Sequence, residues 1–306
     1  MMTTRSRRSV DGVLLLDKPT GLSSNAALQI VKRLYQARKA GHTGSLDPLA
    51  SGMLPICLGE ATKFAGLLLD ADKAYRFKCR LGVTTTTGDA EGEVVRTRPV
   101  GPLQPERVEA ALVRLRGKIQ QIPPMYSALK HQGQRLYALA RQGKVVEREP
   151  RTVIIHSLRL LALEGEFFSA ELACSKGTYV RTLVEDLGEL LGCGAHLVEL
   201  CRTGVAPYLA APMITLAALQ EKAQQGFAAL DAVLLPVDST IADWPAIRLQ
   251  GDAIHYLLSG QPVWVPKAPS QGWVRLYEEP AQRFLGIGEI LDDGRVAPRR
   301  LLCTHV

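Results

Sequence analysis

The order of strand-like and helix-like segments constrains this fold more than any other feature of the sequence. Apolar runs or alternations at 12–16, 75–81 and 153–174 are typical of strands, and the last one reverses direction at Glu164-Gly165. Amphipathic segments separate them, so strands and helices follow one another in mixed order, without a repeating βαβ unit. The sequence therefore predicts an α+β fold with a mixed, largely antiparallel sheet and flanking helices.

The helices are predicted from the residues at their ends. Ser23 and the two residues after it offer N-caps, and Pro105 suits a first helical turn. Gly192 suits the position just beyond a helix C-terminus. The predicted helices run from the caps at 23–25 to Leu34, and over 60–69, 105–116 and 178–191.

The length of 306 residues suits about two domains. Residues 229–246, which two prolines interrupt, are interpreted as the boundary between them. Beyond it lie one predicted helix at 251–258 and short strands around Trp264, Val274, Ile287 and Val296. The predicted division is a basic tail at 1–10, a main domain at 11–246 and a small β-rich domain at 247–306.

The distribution of charge favours a polyanionic partner. The chain has 37 Lys+Arg and 30 Asp+Glu, a net charge of +7. Residues 1–50 carry eight basic and three acidic side chains, and residues 118–151 carry seven and two. Residues 152–246 reverse the balance, with five and eleven. Two basic blocks beside an acidic one fit a protein that follows a phosphate backbone, although ordinary solvated surface has the same pattern.

Several classes of protein are excluded by what the sequence lacks. It has no P-loop, no zinc-deaminase signature and no G-x-S-x-G elbow, and Gly286-Ile-Gly288 lacks the rest of a dinucleotide motif. Its six cysteines form no C-x-x-C pair, so we expect reduced thiols and no metal. No signal peptide or membrane span is predicted, and we expect a cytoplasmic protein. Any catalysis must use ordinary side chains, without a cofactor.

The segment Gly41–Lys63 is the most informative for function. Glycines at 41, 44 and 52 allow sharp turns and a close approach to a ligand, and Pro48 restricts the backbone of Asp47 to extended geometry. A constrained loop with one central acid suits an active site. On its own, Asp47 would more often be an ordinary residue of an Asp-Pro turn.

The complete segment closely resembles the catalytic motif of the TruB family of tRNA pseudouridine synthases, and Asp47 matches the required aspartate of that motif. The resemblance continues in order along nearly the whole chain. Further matching segments are Leu16–Asn25, Lys73–Tyr75, Cys174–Thr182, Gly192–Arg202 and Gly294–Arg300.

The resemblance implies three catalytic residues. Asp47 is expected to act as a nucleophile or as a base that starts an elimination, and the sequence does not choose between these routes. Arg181 is expected to pair with Asp47 and to favour its ionised form. Tyr75 is expected to stack on the target base and could take the C5 proton, a role that requires a nearby cation such as Arg181.

The remaining candidate residues concern RNA binding. His42 is expected to fill the stack that a flipped uridine leaves, and Tyr179 and Leu200 are expected to line the uracil site. The small domain is similar to a PUA-type domain. Candidate phosphate contacts are Lys18, Lys63, Lys73, Lys130 and Lys176, and candidate contacts to the acceptor arm are Arg295, Arg299 and Arg300.

The implied function is conversion of uridine to pseudouridine at position 55, in the T loop of tRNA, by a monomer without an obligate protein partner. Two alternatives stay open. A guide-RNA-dependent pseudouridine synthase shares the catalytic domain but works with partner proteins and typically has longer extensions. A non-catalytic RNA-binding or RNA-folding module would use the basic blocks equally well, but it would not need Asp47, Tyr75 and Arg181 together.

Overall fold

A nine-stranded mixed sheet forms the centre of the computed structural model, which describes residues 7–127 and 129–303. The strands are β1 Gly12–Lys18, β2 Ala40–His42, β3 Ser51–Leu58, β4 Lys73–Leu81, β5 Val83–Thr85, β6 Val94–Thr97, β7 Gly117–Gln121, β8 Lys130–His131, β9 Gln134–Arg135, β10 Arg151–Glu164, β11 Phe167–Cys174, β12 Ala195–Val205, β13 Ile214–Thr215, β14 Ala246–Leu249, β15 Gly272–Glu278, β16 Arg283–Ile290 and β17 Val296–Leu301. The α-helices are α1 Ser24–Leu34, α2 Ala65–Leu69, α3 Pro105–Leu115, α4 Leu136–Ala140, α5 Val180–Leu190, α6 Leu216–Gln225, α7 Phe227–Asp231 and α8 Asp252–Leu258.

The main sheet is largely antiparallel, which confirms the predicted fold class. Its strand order is β13-β1-β3-β12-β4-β11-β10-β7, and β2 also pairs with β3. Across the described ranges, the parallel pairs of this sheet are β1 with β13 and β3 with β12. All its other pairs run antiparallel.

Strand β4 shows how the sequence pattern orients the sheet. Phe77, Cys79 and Leu81 are buried, whereas Arg76 and Arg80 between them are exposed. Alternation of this kind places one face of a strand against the core. Helices α3 and α5 pack on the buried face and close the largest apolar core of the molecule.

The central strand β12 was not predicted as a strand, although its first part lies in the matching segment Gly192–Arg202. The reason is irregular pairing with β4. The register shifts between Leu197 and Glu199 and again between Arg202 and Gly204. Such bulges interrupt the apolar–polar alternation that identifies a strand in a sequence.

The helix predicted at 60–69 is wrong as one continuous helix. A 3₁₀ turn covers Gly59–Lys63, and the short helix α2 follows after Phe64. Phe64 leaves the helical path because its ring packs against Phe284 of the C-terminal sheet, with the centroids 5.9 Å apart. Tertiary packing therefore overrides the local helix pattern.

A second sheet, in the order β14-β15-β16-β17, forms the C-terminal part together with α8. The strand predicted around Trp264 is wrong, because only Val263 forms a bridge, to Val296, and Trp264 is exposed. Contacts with the main part are substantial. Ile287 packs with the buried Ile241 and Phe64, so this sheet rests on the segment that follows β3.

The described end of the predicted basic tail is docked on the main domain. Arg8 pairs with Asp231 at 2.6 Å, and its guanidinium lies 4.0 Å from the centre of the Phe227 ring. Residues 1–6 lie outside the described part of the chain. Within the described residues, none of the helices has the length and apolar character that a bilayer span needs.

Candidate active site

Asp47 lies in a tight loop between β2 and β3 that the start of α1 holds in place. The buried Ser24 hydroxyl accepts a hydrogen bond from the Leu46 N–H at 2.7 Å and donates one to the Leu46 carbonyl at 3.0 Å. The Ala50 N–H donates to the Asp47 carbonyl at 3.0 Å. With Pro48 restricting the backbone, the loop fixes the direction of the Asp47 side chain.

Arg181 pairs with Asp47 as the sequence predicts. Its Nη2 lies 2.9 Å from Asp47 Oδ2 and also donates to the Tyr126 carbonyl at 2.7 Å. Its Nη1 donates to the Thr87 carbonyl at 3.1 Å. The Arg181 side chain is only 6% exposed, whereas the Asp47 side chain is 46% exposed. The buried guanidinium is therefore a fixed ion-pair partner for the Asp47 carboxylate, which remains open to a substrate.

A second carboxylate, which sequence reasoning missed, supports this arginine from the other side. Asp89 is buried and its Oδ2 lies 3.6 Å from Arg181 Nη1. Its Oδ1 accepts hydrogen bonds from the Thr87 hydroxyl and, at 3.1 Å, from the Glu91 N–H. Asp89 is thus held by its own turn and helps to orient Arg181 toward Asp47.

Opposing effects act on the acidity of Asp47. Burial raises the pKa of its carboxyl above the ordinary value, and Arg181 lowers it. The negative charge of Asp89 raises the same pKa, and Lys18 lowers it. Burial has the larger effect, and Arg181 is the group that lowers the pKa of Asp47 most.

Tyr75 lies on β4, and its neighbouring cation is Arg202 on β12. The two residues are cross-strand partners in the register of β4 and β12. Burial raises the pKa of the Tyr75 hydroxyl, whereas the charge of Arg202 and a hydrogen-bonding interaction with it lower that pKa. The nearby cation that Tyr75 was expected to need is therefore Arg202, where Arg181 had been given as an example.

The five residues expected to act in catalysis or to line the uracil site, together with Lys73, line one open cavity of about 380 Å³. Tyr179 takes part as the N-cap residue of α5, so the helix begins two residues later than predicted. A cavity of this size can hold a small planar ring between apolar and polar walls. The five candidates are Asp47, Tyr75, Tyr179, Arg181 and Leu200.

Comparison with known proteins agrees with this geometry. A model described as "TruB family pseudouridylate synthase (N terminal domain)" matches residues 32–180. The tRNA pseudouridine synthase B of Nitrosococcus oceani is 58% identical over 298 residues, which are 97% of this chain and 96% of the relative. The chain belongs to the TruB family.

Two further family models match the rest of the TruB-family chain. "tRNA pseudouridylate synthase B C-terminal domain" matches residues 181–242, and "Pseudouridine synthase II TruB, C-terminal" matches residues 245–302. The tRNA pseudouridine synthase B of Ectopseudomonas mendocina is 60% identical over 301 residues, which are 98% of each chain.

The TruB-family fold is also present in solved structures of lower identity. A chain from the crystal structure of a Cbf5-Nop10-Gar1 complex superposes with a TM-score of 0.72 at 23% identity, over 95% of this chain and 84% of that one. A chain of an H/ACA RNP bound to a substrate RNA containing 2'-deoxyuridine gives 0.72 at 22% identity, with the same coverage. At this identity the likeness concerns the fold.

His42 lies near the cavity but does not line it. It ends β2, where it pairs with Ile56 of β3, five residues before Asp47. Its Nδ1 is buried and has no hydrogen-bond partner among the described residues. Burial and the nearby Arg202 lower the pKa of the ring, so the imidazole stays neutral over a wider range of pH.

Two of the candidate phosphate contacts are wrong, because their ammonium groups point inward. Lys18 is fully buried and donates to the carbonyls of Pro19 and Leu22, both at 2.7 Å. Lys73 is buried and donates to the Leu69 carbonyl at 2.7 Å. Burial lowers the pKa of both lysines to about 8. They hold backbone turns beneath the cavity.

The other three lysines differ in whether their ammonium groups are engaged within the protein or can reach a phosphate. Lys63 is engaged within the protein, with Glu60 at 2.6 Å and the Leu301 carbonyl at 2.8 Å, so it ties the C-terminal strand to the main part. Lys176 is exposed and pairs with Asp70 at 3.0 Å. Lys130 is exposed on the short hairpin of β8 and β9, where a phosphate can reach it.

The three C-terminal arginines also have partners within the molecule. Arg295 pairs with Asp293 at 2.6 Å, and Arg299 pairs with Glu289 at 2.8 Å. Arg300 donates to the Lys63 carbonyl. The first two pairs are partly exposed, and surface pairs of this kind are weak enough to be exchanged for a phosphate.

Proposed function

We propose that this chain converts uridine to pseudouridine in tRNA, at position 55 of the T loop. The observation that carries the proposal is the Asp47–Arg181 pair beside Tyr75 in one open cavity. The names of the curated relatives at 58% and 60% identity support the same reaction. The reaction cleaves the N1–C1′ bond, turns the uracil and joins C5 to C1′.

In this proposal Asp47 starts the reaction and Arg181 holds it in its ionised form. The partly exposed carboxylate is available either to attack the ribose or to remove a proton from it. Fixed hydrogen bonds to carbonyls keep the guanidinium in place, so little reorganisation is needed when the substrate enters. Tyr75 and Tyr179 provide ring surfaces against which the uracil packs.

The target uridine must leave its stack to reach this cavity. We propose that His42 takes its place in the stack. The neutral ring at the end of β2 fits this role, because a neutral imidazole loses less hydration than a charged one when it is covered by bases. Exposed cations such as Lys130 would contact the phosphates on either side.

We propose the chain works as a cytoplasmic monomer, without a cofactor or an obligate partner. Its catalytic domain would span 11–246, and the PUA-like domain at 247–306 would contact the acceptor arm through Arg295 and Arg299. Their exposed ion pairs support this assignment, since a phosphate can replace either carboxylate.

Tritium release tests the proposed reaction. A tRNA transcript with 5-tritiated uridine is incubated with purified protein and no guide RNA, and the released tritium is counted. The proposal requires release from the full transcript and its loss when the uridine at position 55 is replaced by cytidine. No release from the unaltered transcript would reject the proposed activity, and undiminished release from the replaced one would reject the position.

The fold it shares with the Cbf5-Nop10-Gar1 chain makes guide-dependent modification the second candidate. The guide-free reaction above separates the two. Turnover that appears only after a guide RNA and partner proteins are added would favour the second candidate.

A further inference from the structure

Arg202 is a buried cation beside the cavity without a carboxylate partner. It is 1% exposed. Its Nε donates to the Met53 carbonyl at 2.7 Å, and its Nη2 donates to the Gly44 carbonyl at 3.2 Å. In the part of the chain that the structure describes, no Asp or Glu forms an ion pair with Arg202. A buried charge that lacks a counter-ion strongly favours an anion next to it.

The surroundings of Arg202 add to this excess of positive charge. Lys18 and Lys73 are buried nearby, and Arg202 lowers the pKa of both. It also lowers the pKa of His42. Asp47, which acts on Lys18, is already paired with Arg181. The side of the cavity around Arg202 therefore has a positive potential that its own side chains do not balance.

The acidic group that Arg202 contacts is the hydroxyl of Tyr75. Their positions are opposite in adjacent antiparallel strands, so the side chains project from the same face. Arg202 acts on the Tyr75 hydroxyl through its charge and through a hydrogen-bonding interaction. Asp47 and Cys174 act in the opposite direction. Arg202 is thus the cation that opposes burial and these two groups, although the pKa of Tyr75 still lies above its ordinary value.

We propose that Arg202 is the positioning residue that holds the Tyr75 hydroxyl and stabilises its deprotonated form, so that Tyr75 removes the C5 proton. The inference rests on the function proposed above. After C5 has bonded to C1′, the C5–H bond breaks and the proton passes to the Tyr75 oxygen. The C–H electron pair forms the C5=C6 bond, and the C6=N1 pair moves to N1, which takes up a proton from water. Tyr75 then returns its proton to solvent.

The test compares Arg202→Gln with the parent in single-turnover reactions on transcripts that contain uridine or 5-deuterated uridine. Gln keeps donors for the carbonyls but has no charge. We expect a rate about 10²-fold lower at neutral pH, with tRNA affinity within a few-fold, since the step that fails is a proton transfer. The deuterium isotope effect should exceed that of the parent. The rate of the variant should rise with pH only above the range in which the parent rate rises, because burial already raises the pKa of the Tyr75 hydroxyl and loss of the Arg202 charge raises it further.

A slower reaction with the parent's isotope effect and the parent's dependence on pH would contradict this role. Tyr75→Phe combined with Arg202→Gln should be no slower than Tyr75→Phe alone, because both changes remove the same base. Multiplied losses would also reject the role. A parent that forms no pseudouridine would instead reject the proposed function.

Thermal unfolding shows whether the Arg202→Gln variant is folded. If it is not, Arg202→Lys provides the test. A buried lysine loses its proton at a lower pH than a free one, whereas a guanidinium stays charged. The Lys variant should therefore approach the parent rate near neutral pH and slow as the pH rises. A parallel dependence on pH in the Lys variant and the parent would overturn the role.

Discussion

The two arginines of the cavity have opposite surroundings. Arg181 is surrounded by acids, since Asp47 and Asp89 both approach it and Glu185 is near enough for Arg181 to lower its pKa. Arg202 is surrounded by other cations and by carbonyls. We call Asp47, Asp89, Glu185 and Arg181 the acidic side, and Lys18, Lys73, Arg202 and Tyr75 the basic side.

The difference suggests how one small cavity can serve two proposed steps, bond cleavage and C5 proton transfer, that require groups of opposite charge. In the proposed reaction, bond cleavage at the ribose uses the Asp47 carboxylate, whose pKa Asp89 raises and Arg181 lowers. The proposed transfer of the C5 proton uses the cations of the other side, because negative charge would develop on the detached uracil. Because the acids and the unpaired cations lie on opposite sides of the cavity, both kinds of group can be present in one site.

The largest effect on turnover is expected from a change of Asp47, at the centre of the acidic side. Asp47→Asn removes the charge and almost no volume, so we expect turnover to fall more than 10³-fold while tRNA affinity stays within a few-fold. Single-turnover pseudouridine formation and filter binding measure the two quantities. The exposed Asp243, changed to Asn, is the control and should match the parent. Retained turnover in the Asp47 variant would remove Asp47 from the chemistry.

Arg181→Met should lower the rate by about 10²-fold to 10³-fold. Arg181 lowers the pKa of Asp47, so its removal raises that pKa further. The acid limb of kcat/KM, where Asp47 becomes protonated as the pH falls, should therefore move to higher pH. Arg80→Met, on the exposed face of β4, is the control. An unmoved limb would mean that Arg181 does not set the ionisation of Asp47.

Asp89→Asn should have a smaller effect on the rate, about tenfold or about 1.4 kcal/mol of transition-state stabilisation. The direction in which this variant moves the acid limb of the pH profile distinguishes it from the Arg181 variant. The charge of Asp89 raises the pKa of Asp47, so its loss should move the acid limb to lower pH, opposite to the Arg181 variant. A shift to higher pH would show that Asp89 acts mainly through the placement of Arg181.

The last expected effect concerns stability, not rate, and lies on the basic side. The pKa of Lys73 is about 8 in the folded protein, against 10.5 for an ordinary lysine. Between these values the unfolded chain binds more protons, so the free energy of unfolding rises with pH. Lys73→Met should lose this rise, on the order of 2 kcal/mol. Urea unfolding at several pH values measures it, with the exposed Lys118→Met as control. If the free energy of unfolding of Lys73→Met rose with pH as steeply as that of the parent, the lowered pKa of Lys73 would be contradicted.

The candidate catalytic residues on the acidic side could be predicted only in part from the sequence. Asp47 and Arg181 stand in segments that resemble family motifs, and their pairing follows from that resemblance. Asp89 follows a threonine-rich turn and looks like an ordinary turn residue. Its role exists only because α5 brings Arg181 back to that turn, a contact between residues that are far apart in the chain.

The basic side was harder to predict because charge alone does not say where a side chain points. Lys18 and Lys73 have the residue type of a phosphate contact, but their stems are buried and their ammonium groups bind carbonyls. Arg202 ends a matching segment, yet its pairing with Tyr75 depends on the register of β12, which two bulges shift. The mixed sheet was predictable because β11 and the second half of β4 alternate regularly between buried and less buried residues.

The central claim is that the two sides act on different steps, and the C5 deuterium isotope effect tests it most directly. It is measured side by side in the parent, Arg181→Met and Arg202→Gln under single-turnover conditions. The account predicts no increase in Arg181→Met, where an earlier step limits the rate, and a clear increase in Arg202→Gln. Equal isotope effects in the two variants would contradict a division of labour between the acidic side and the basic side.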